Sequence, residues 1–134
     1  MIEEIRKWRE DFQLKTDVTA ASAMLTEEYD ESFEALQEFL DNPNNNTKKH
    51  LARELADVIF VAVQMAESIG VDISQVIQEV LESNYTKRMT TEQAKEVFKK
   101  HPMPLGAESV ERDGYVYLYR DGKLLKPPTF KPLT

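Results

Sequence analysis

The stretch LARELADVIFVAVQMAESI, residues 51–69, decides the fold class. Wound as a helix, it carries apolar side chains around most of its circumference. A helix of this kind is a buried, central element, so the stretch predicts a bundle of helices packed around it. Two acids, Glu54 and Asp57, nevertheless lie within or beside the apolar sector of the same helix.

Apolar spacing, capping residues and helix-breaking residues predict the full extent of this helix and further helices on both sides of it. Their expected extents are Ile2 to about Leu14, Asp17 or Thr19 to about Leu40, Thr47 to Ile69, Asp72 to about Met89, and Thr91 to Lys100. In this scheme Thr47 and Asp72 are N-caps, and Gly70 adopts the left-handed conformation that closes the third helix.

The last part of the chain has the residue pattern of β-strands and turns instead of helices. Residues 115–119 are β-branched and aromatic, and Asp121-Gly122 is typical of a tight hairpin turn into a second strand. The Pro-rich tail at 126–132 is expected to be extended. The sequence therefore predicts an all-α fold, a four- or five-helix bundle, with a small C-terminal β-hairpin and an extended tail.

Length and composition narrow the class of protein. A chain of 134 residues fits one domain, with a helical core at about 1–100 and the hairpin and tail at about 107–134. Lys and Arg number 17 against 24 Asp and Glu, and the net charge of -7 disfavours a nucleic-acid partner. The lack of cysteine excludes disulfides, thiolate metal sites and a cysteine nucleophile. With no signal-peptide pattern and no apolar run that could span a membrane, a cytoplasmic protein is expected.

The second helix also places acids where apolar residues belong. Its apolar sector contains Glu28, and Glu31 lies about 60° away on the border of that sector. Each of the two long helices thus offers two acids, three residues apart, on a stripe that should be core. Burying several carboxylates together is unfavourable unless a cation compensates their charge. Oxygen ligands with no cysteine or nearby histidine suit a hard ion, Mg²⁺ with Mn²⁺ as a substitute.

Simpler interpretations of the acids stay open. A single Glu-x-x-Glu pair is usually a solvated helix face, and a single buried acid commonly pairs with a cation such as Arg53 or Lys87. Two such pairs on consecutive helices favour the metal site. A di-iron bundle is disfavoured because it uses Glu-x-x-His pairs, and neither His50 nor His101 lies three residues after a glutamate. Both histidines are expected at the surface.

The predicted fourth helix ends in residues suited to phosphate. Asn84 and Lys87 are three residues apart and are predicted to share a helical face, and Arg88 follows. An amide and two cations would bind phosphate oxygens; the alternative is a basic helix C-terminus that favours the helix dipole. Trp8, Phe12 and Tyr85 are candidates for stacking on a base, although aromatics at helical spacing more often belong to the core.

Three short motifs occur in order: LTEEYDE at 25–31, ELADV at 54–58 and NYTK at 84–87. Together they resemble the motifs of the all-α NTP pyrophosphohydrolases, a family that includes MazG-like enzymes, dimeric dUTPases and phosphoribosyl-ATP pyrophosphohydrolase. The resemblance implies Mg²⁺-dependent hydrolysis of a (deoxy)nucleoside triphosphate to the monophosphate and pyrophosphate, in the house-cleaning of nucleotide pools. It also implies a homodimer or homotetramer.

The same resemblance implies roles for individual residues. The implied Mg²⁺ ligands are Glu28, Glu31, Glu54 and Asp57. Glu27, beside Glu28, would be a further ligand or the base that orients the attacking water, so both are candidate catalytic residues. The implied substrate contacts are Asn84, Lys87 and Arg88, with Trp8 as a candidate for the base. Two alternatives stay open: a phosphoribosyl-ATP pyrophosphohydrolase, and a non-catalytic helical oligomer stabilised by metal.

Overall fold

The computed structural model describes residues 1–15 and 17–133. The elements along the described chain are α1 (Ile2–Asp11), α2 (Val18–Asp41), α3 (Asn45–Ser68), α4 (Ile73–Tyr85), β1 (Met89–Thr90), α5 (Thr91–Lys100), β2 (Glu108–Arg112), β3 (Tyr115–Arg120) and β4 (Lys123–Leu124). They form two compact units that divide within the first turn of α4, between Ser74 and Gln75. Helices followed by a small antiparallel sheet confirm the predicted fold class, and the single-domain organisation stays a prediction. No helix of the described residues is long and apolar enough to cross a membrane.

Side-chain caps set the starts of the two long helices. Asp17, one of the two predicted starts of α2, is its N-cap and accepts a hydrogen bond from the Ala20 amide at 2.8 Å. The prediction that Thr47 caps α3 is wrong, because Asn44 is the N-cap and accepts from the Thr47 amide at 3.0 Å. The Thr47 hydroxyl accepts in return from the Asn44 amide, which completes a capping box. Since α3 can begin at Asn45, the connection from α2 is short and the two helices run antiparallel.

Small side chains line the contact of α2 with its neighbours in the first unit. The buried residues of α2 are Ala21, Ser32 and Ala35, and small residues let helices approach closely. Larger apolar residues of α2 and α3 lie exposed on the single chain and are called the apolar stripe here: Tyr29, Phe33, Leu40, Leu55 and Ile59. The prediction that α3 is buried around most of its circumference is therefore wrong for the single chain. Its neighbours α1 and α2 cover only part of the helix, and Leu55 and Ile59 lie on the uncovered part.

The centre of the second unit is strand β3. It pairs antiparallel with β2 along one edge and with β1 and β4 along the other. Val116 and Leu118, on one face of β3, are buried with Met89 and Ala94. Met89 is fully buried as the strand partner of Val116. The predicted extension of α4 to Met89 is therefore wrong: α4 ends at Tyr85, and the chain leaves it to place Met89 in the sheet.

Two Asp-Gly turns fold the sheet. Asp121 and Gly122, with φ of 52° and 75°, join β3 to β4 and confirm the predicted hairpin. Asp113 and Gly114, with φ of 51° and 83°, join β2 to β3, and this second hairpin is absent from the sequence prediction. Positive φ at both central positions is the geometry that favours Asp-Gly in tight hairpins.

Candidate metal centre

Three carboxylates meet where α2 packs on α3. One oxygen from each of Glu28, Glu54 and Asp57 lies within 4.8 Å of the other two. Glu54 and Asp57 share a side of α3 because they are three residues apart. Glu28 comes from the facing helix, on the same side of α2 as the buried Ala35. The structure thus brings together three of the four acids that the sequence marks as metal ligands.

The cluster is partly withdrawn from water. The side chains of Glu28 and Glu54 are half-buried, whereas Asp57 is exposed. The Oε2 atoms of Glu28 and Glu54 are both buried, and neither has a hydrogen-bond partner among the described residues. A buried charged oxygen without a partner is costly, so each of these atoms is stabilised by gaining either a proton or a cation.

The negative charges of the cluster also favour a proton or a cation at Glu28. Burial raises the pKa of the Glu28 carboxyl above its ordinary value of 4.5, and the negative charge of Glu31 raises it further. The charges of Asp57 and Glu54 add to the same rise in pKa. A cation would have the opposite effect, because it favours the ionised carboxylates.

The residues present fit a hard divalent cation. The converging donors are all carboxylate oxygens, the ligands that such ions prefer, and two of the three residues also carry a buried oxygen without a hydrogen-bond partner. Glu31 lies outside the group of three, and its negative charge contributes to the raised pKa of Glu28. Glu27 is exposed and also lies outside the group. The roles of both stay predictions.

Sequence reasoning misses the surroundings of His50. This residue lies at the surface, as expected, but it also stands between two acids. Its Nδ1 is 3.4 Å from Oε2 of Glu38 on α2, and its Nε2 is 3.3 Å from Oε1 of Glu54 on α3. The spacing of four residues between His50 and Glu54 was the available signal, because residues i and i+4 are neighbours on a helix.

The predicted phosphate-binding residues lie in the second unit. Asn84 is exposed in the last turn of α4, and the Lys87 amide donates to the Asn84 carbonyl at 3.1 Å in the turn that follows. The expectation that Asn84 and Lys87 share a helical face is wrong, since α4 ends at Tyr85. The Arg88 guanidinium stacks over the Tyr115 ring at 3.6 Å and donates to the Tyr117 hydroxyl at 3.2 Å.

Trp8, the candidate for base stacking, belongs to the first unit. Its ring stacks on Phe12 with centroids 5.0 Å apart and meets Phe60 of α3 edge-on at 4.7 Å. Trp8 and Phe60 are partly buried and Phe12 is exposed, so the contact between Trp8 and Phe60 packs α1 against α3 at the edge of the unit.

One comparison with known proteins gives a match. A family model described as the MazG nucleotide pyrophosphohydrolase domain matches residues 17–91, more than half of the chain. The matched residues contain the carboxylate cluster and the turn that carries Lys87 and Arg88, and they end before β2. No curated protein and no solved structure matches the chain significantly.

Proposed function

The chain belongs to the MazG nucleotide pyrophosphohydrolase family, and on that premise we propose that it hydrolyses a (deoxy)nucleoside triphosphate with Mg²⁺ as cofactor. Family membership supports nucleotide pyrophosphohydrolase activity in general; the cation, the substrate class and a role in nucleotide-pool house-cleaning are the proposal. The observation that carries it is the convergence of Glu28, Glu54 and Asp57, two of which present a buried oxygen without a partner.

The acid cluster would hold the cation. Glu28, Glu54 and Asp57 are the proposed ligands, with Glu31 beside Glu28 as the fourth. When bound, Mg²⁺ supplies Lewis-acid stabilisation of the charge on the phosphate oxygens. Because two packed helices already hold three of the carboxylates together, little reorganisation is needed when the cation binds.

The remaining residues would serve the hydrolytic step. Water attacks a phosphorus of the α–β phosphoanhydride, the bond to the bridging oxygen breaks, and the monophosphate and pyrophosphate are released. The proton of the water passes to a carboxylate, and Glu27 is the proposed base. Asn84, Lys87 and Arg88 are the proposed phosphate contacts, because an amide and two cations are groups that bind phosphate oxygens. A role for Trp8 at the base stays a prediction.

The apolar stripe supports a homodimer or homotetramer. Phe33 is about 140° from Glu28 around α2, and its side chain is 52% exposed. Ile59 is about 140° from Glu54 around α3 and 49% exposed. Because α2 and α3 run antiparallel, both side chains lie on one side of the helix pair. Contiguous apolar surface of this kind marks an interface, and a second copy carries the matching apolar surface.

The experiment is a pyrophosphate-release assay over dNTPs, NTPs and phosphoribosyl-ATP, with Mg²⁺ and with EDTA. We expect Mg²⁺-dependent pyrophosphate from one or more deoxynucleotides. Release from phosphoribosyl-ATP alone would replace the proposed substrate class with that alternative. If a folded oligomer binds Mg²⁺ but releases no pyrophosphate from any of these substrates, the protein is a non-catalytic, metal-stabilised oligomer.

A further inference from the structure

His50 bridges the two helices that carry the acid cluster. Its two ring nitrogens face carboxylates on opposite sides, Glu38 near the end of α2 at 3.4 Å and Glu54 on α3 at 3.3 Å. The side chains of His50 and Glu38 are 49% and 55% exposed, whereas that of Glu54 is 16% exposed. The contacts from Glu38 to His50 and from His50 to Glu54 therefore lead from solvent toward the cluster.

The two oxygens of Glu54 have different surroundings. Oε1 lies against Nε2 of His50, and Oε2 is buried without a partner. Because the imidazole contacts Oε1, it restrains rotation of the same carboxylate that meets Glu28 and Asp57 in the cluster. Carboxylates that ligate metals are commonly held by such an outer partner, and loss of that partner weakens metal binding.

We propose that His50, itself supported by Glu38, is a positioning residue that orients the Glu54 carboxylate toward the divalent cation. The inference rests on the proposed function only in that the cluster binds a cation; it does not depend on which nucleotide is cleaved. The competing interpretation is an exposed ion pair of small energetic consequence, as most surface pairs are. The two interpretations differ in what they predict for cation affinity.

The test measures Mn²⁺ binding by calorimetry in the absence of nucleotide. We expect His50→Phe, which keeps a ring but removes both nitrogens, to weaken Mn²⁺ binding about 10- to 100-fold. His50→Gln retains an N–H donor and should recover part of that loss. In parallel, His50→Phe should raise the Mg²⁺ concentration for half-maximal activity while kcat at saturating Mg²⁺ stays close to wild type.

The matched pair Glu38→Gln and Glu34→Gln controls for charge. Both residues lie on α2 one turn apart, and each substitution removes one negative charge. Of these two glutamates, Glu38 is the one that contacts His50, so Glu38→Gln should weaken Mn²⁺ binding more than Glu34→Gln does. This pair also decides the question if His50→Phe fails to fold, as judged by circular dichroism in EDTA.

Unchanged Mn²⁺ affinity in His50→Phe, or equal losses in the two α2 variants, would overturn the positioning role. Absence of Mn²⁺ binding by the wild-type chain would overturn it as well. Weakened Mn²⁺ binding by His50→Phe in a chain that releases no pyrophosphate from any triphosphate would uphold the positioning role and remove the proposed function.

Discussion

Replacing Phe33 by alanine should weaken self-association of the chain. Complete burial of a phenylalanine side chain contributes about 1.5–3 kcal/mol. Since 52% of the Phe33 side chain is still exposed on the single chain, an interface over it would contribute roughly half of that. In a two-fold assembly the contact occurs twice, so the variant should lose about 1.5–3 kcal/mol of dimer stability. That loss corresponds to a dissociation constant raised about 10- to 150-fold.

Sedimentation velocity over a series of protein concentrations measures this constant directly. Ile59→Ala, which truncates the same stripe on α3, should act in the same direction with a smaller effect. Leu105→Ala is the control, because Leu105 is 94% exposed in the loop between α5 and β2, away from the stripe in sequence. An unchanged dissociation constant in Phe33→Ala, or an equal increase in Leu105→Ala, would refute the assignment of the stripe to the interface.

Three further predictions concern the site. Asp57→Asn should abolish turnover while circular dichroism and oligomeric state stay native, because a neutral amide ligates Mg²⁺ poorly; full activity would remove Asp57 from the ligand set. Lys87→Ala should raise KM for the triphosphate about tenfold or more, the effect of losing a charge-assisted hydrogen bond, and leave Mn²⁺ affinity near wild type; equal losses of both would contradict a phosphate role. The raised pKa of Glu28 means that the folded, metal-free protein binds a proton more tightly than the unfolded chain does. Its free energy of unfolding, followed by urea titration in EDTA, should therefore fall as pH rises above 4.5, and Glu28→Gln should remove that contribution; an identical pH slope in the variant would show that Glu28 is not its source.

The sequence predicts the long helices and the acid cluster well, for a common physical reason. Period and capping are local properties, so the sequence narrows the start of α2 to Asp17 or Thr19, and Asp17 is the N-cap. An acid on an apolar face is also a local signal, and Glu28 and Glu54 are placed by it at the α2–α3 contact. The misplaced cap at Thr47 comes from two candidates three residues apart, because the capping box uses Asn44 and Thr47 together.

What the sequence misses depends on partners distant along the chain. Met89 continues the apolar pattern of α4, and only its pairing with Val116, 27 residues later, makes it a strand residue. His50 carries no motif of its own, and its contact with Glu38 forms only when α2 and α3 pack. Periodicity likewise shows that Phe33 and Ile59 belong to apolar faces, but not whether those faces pack within one chain or between copies.

The most direct test of the central claim is ³¹P NMR of the products formed from the preferred triphosphate by the wild-type chain and by Glu54→Gln. We expect monophosphate and pyrophosphate in equal amounts, formed only with a divalent cation, and no turnover by the variant although it stays folded. Nucleoside diphosphate and inorganic phosphate as products, or undiminished turnover by Glu54→Gln, would contradict the proposed reaction and its metal site.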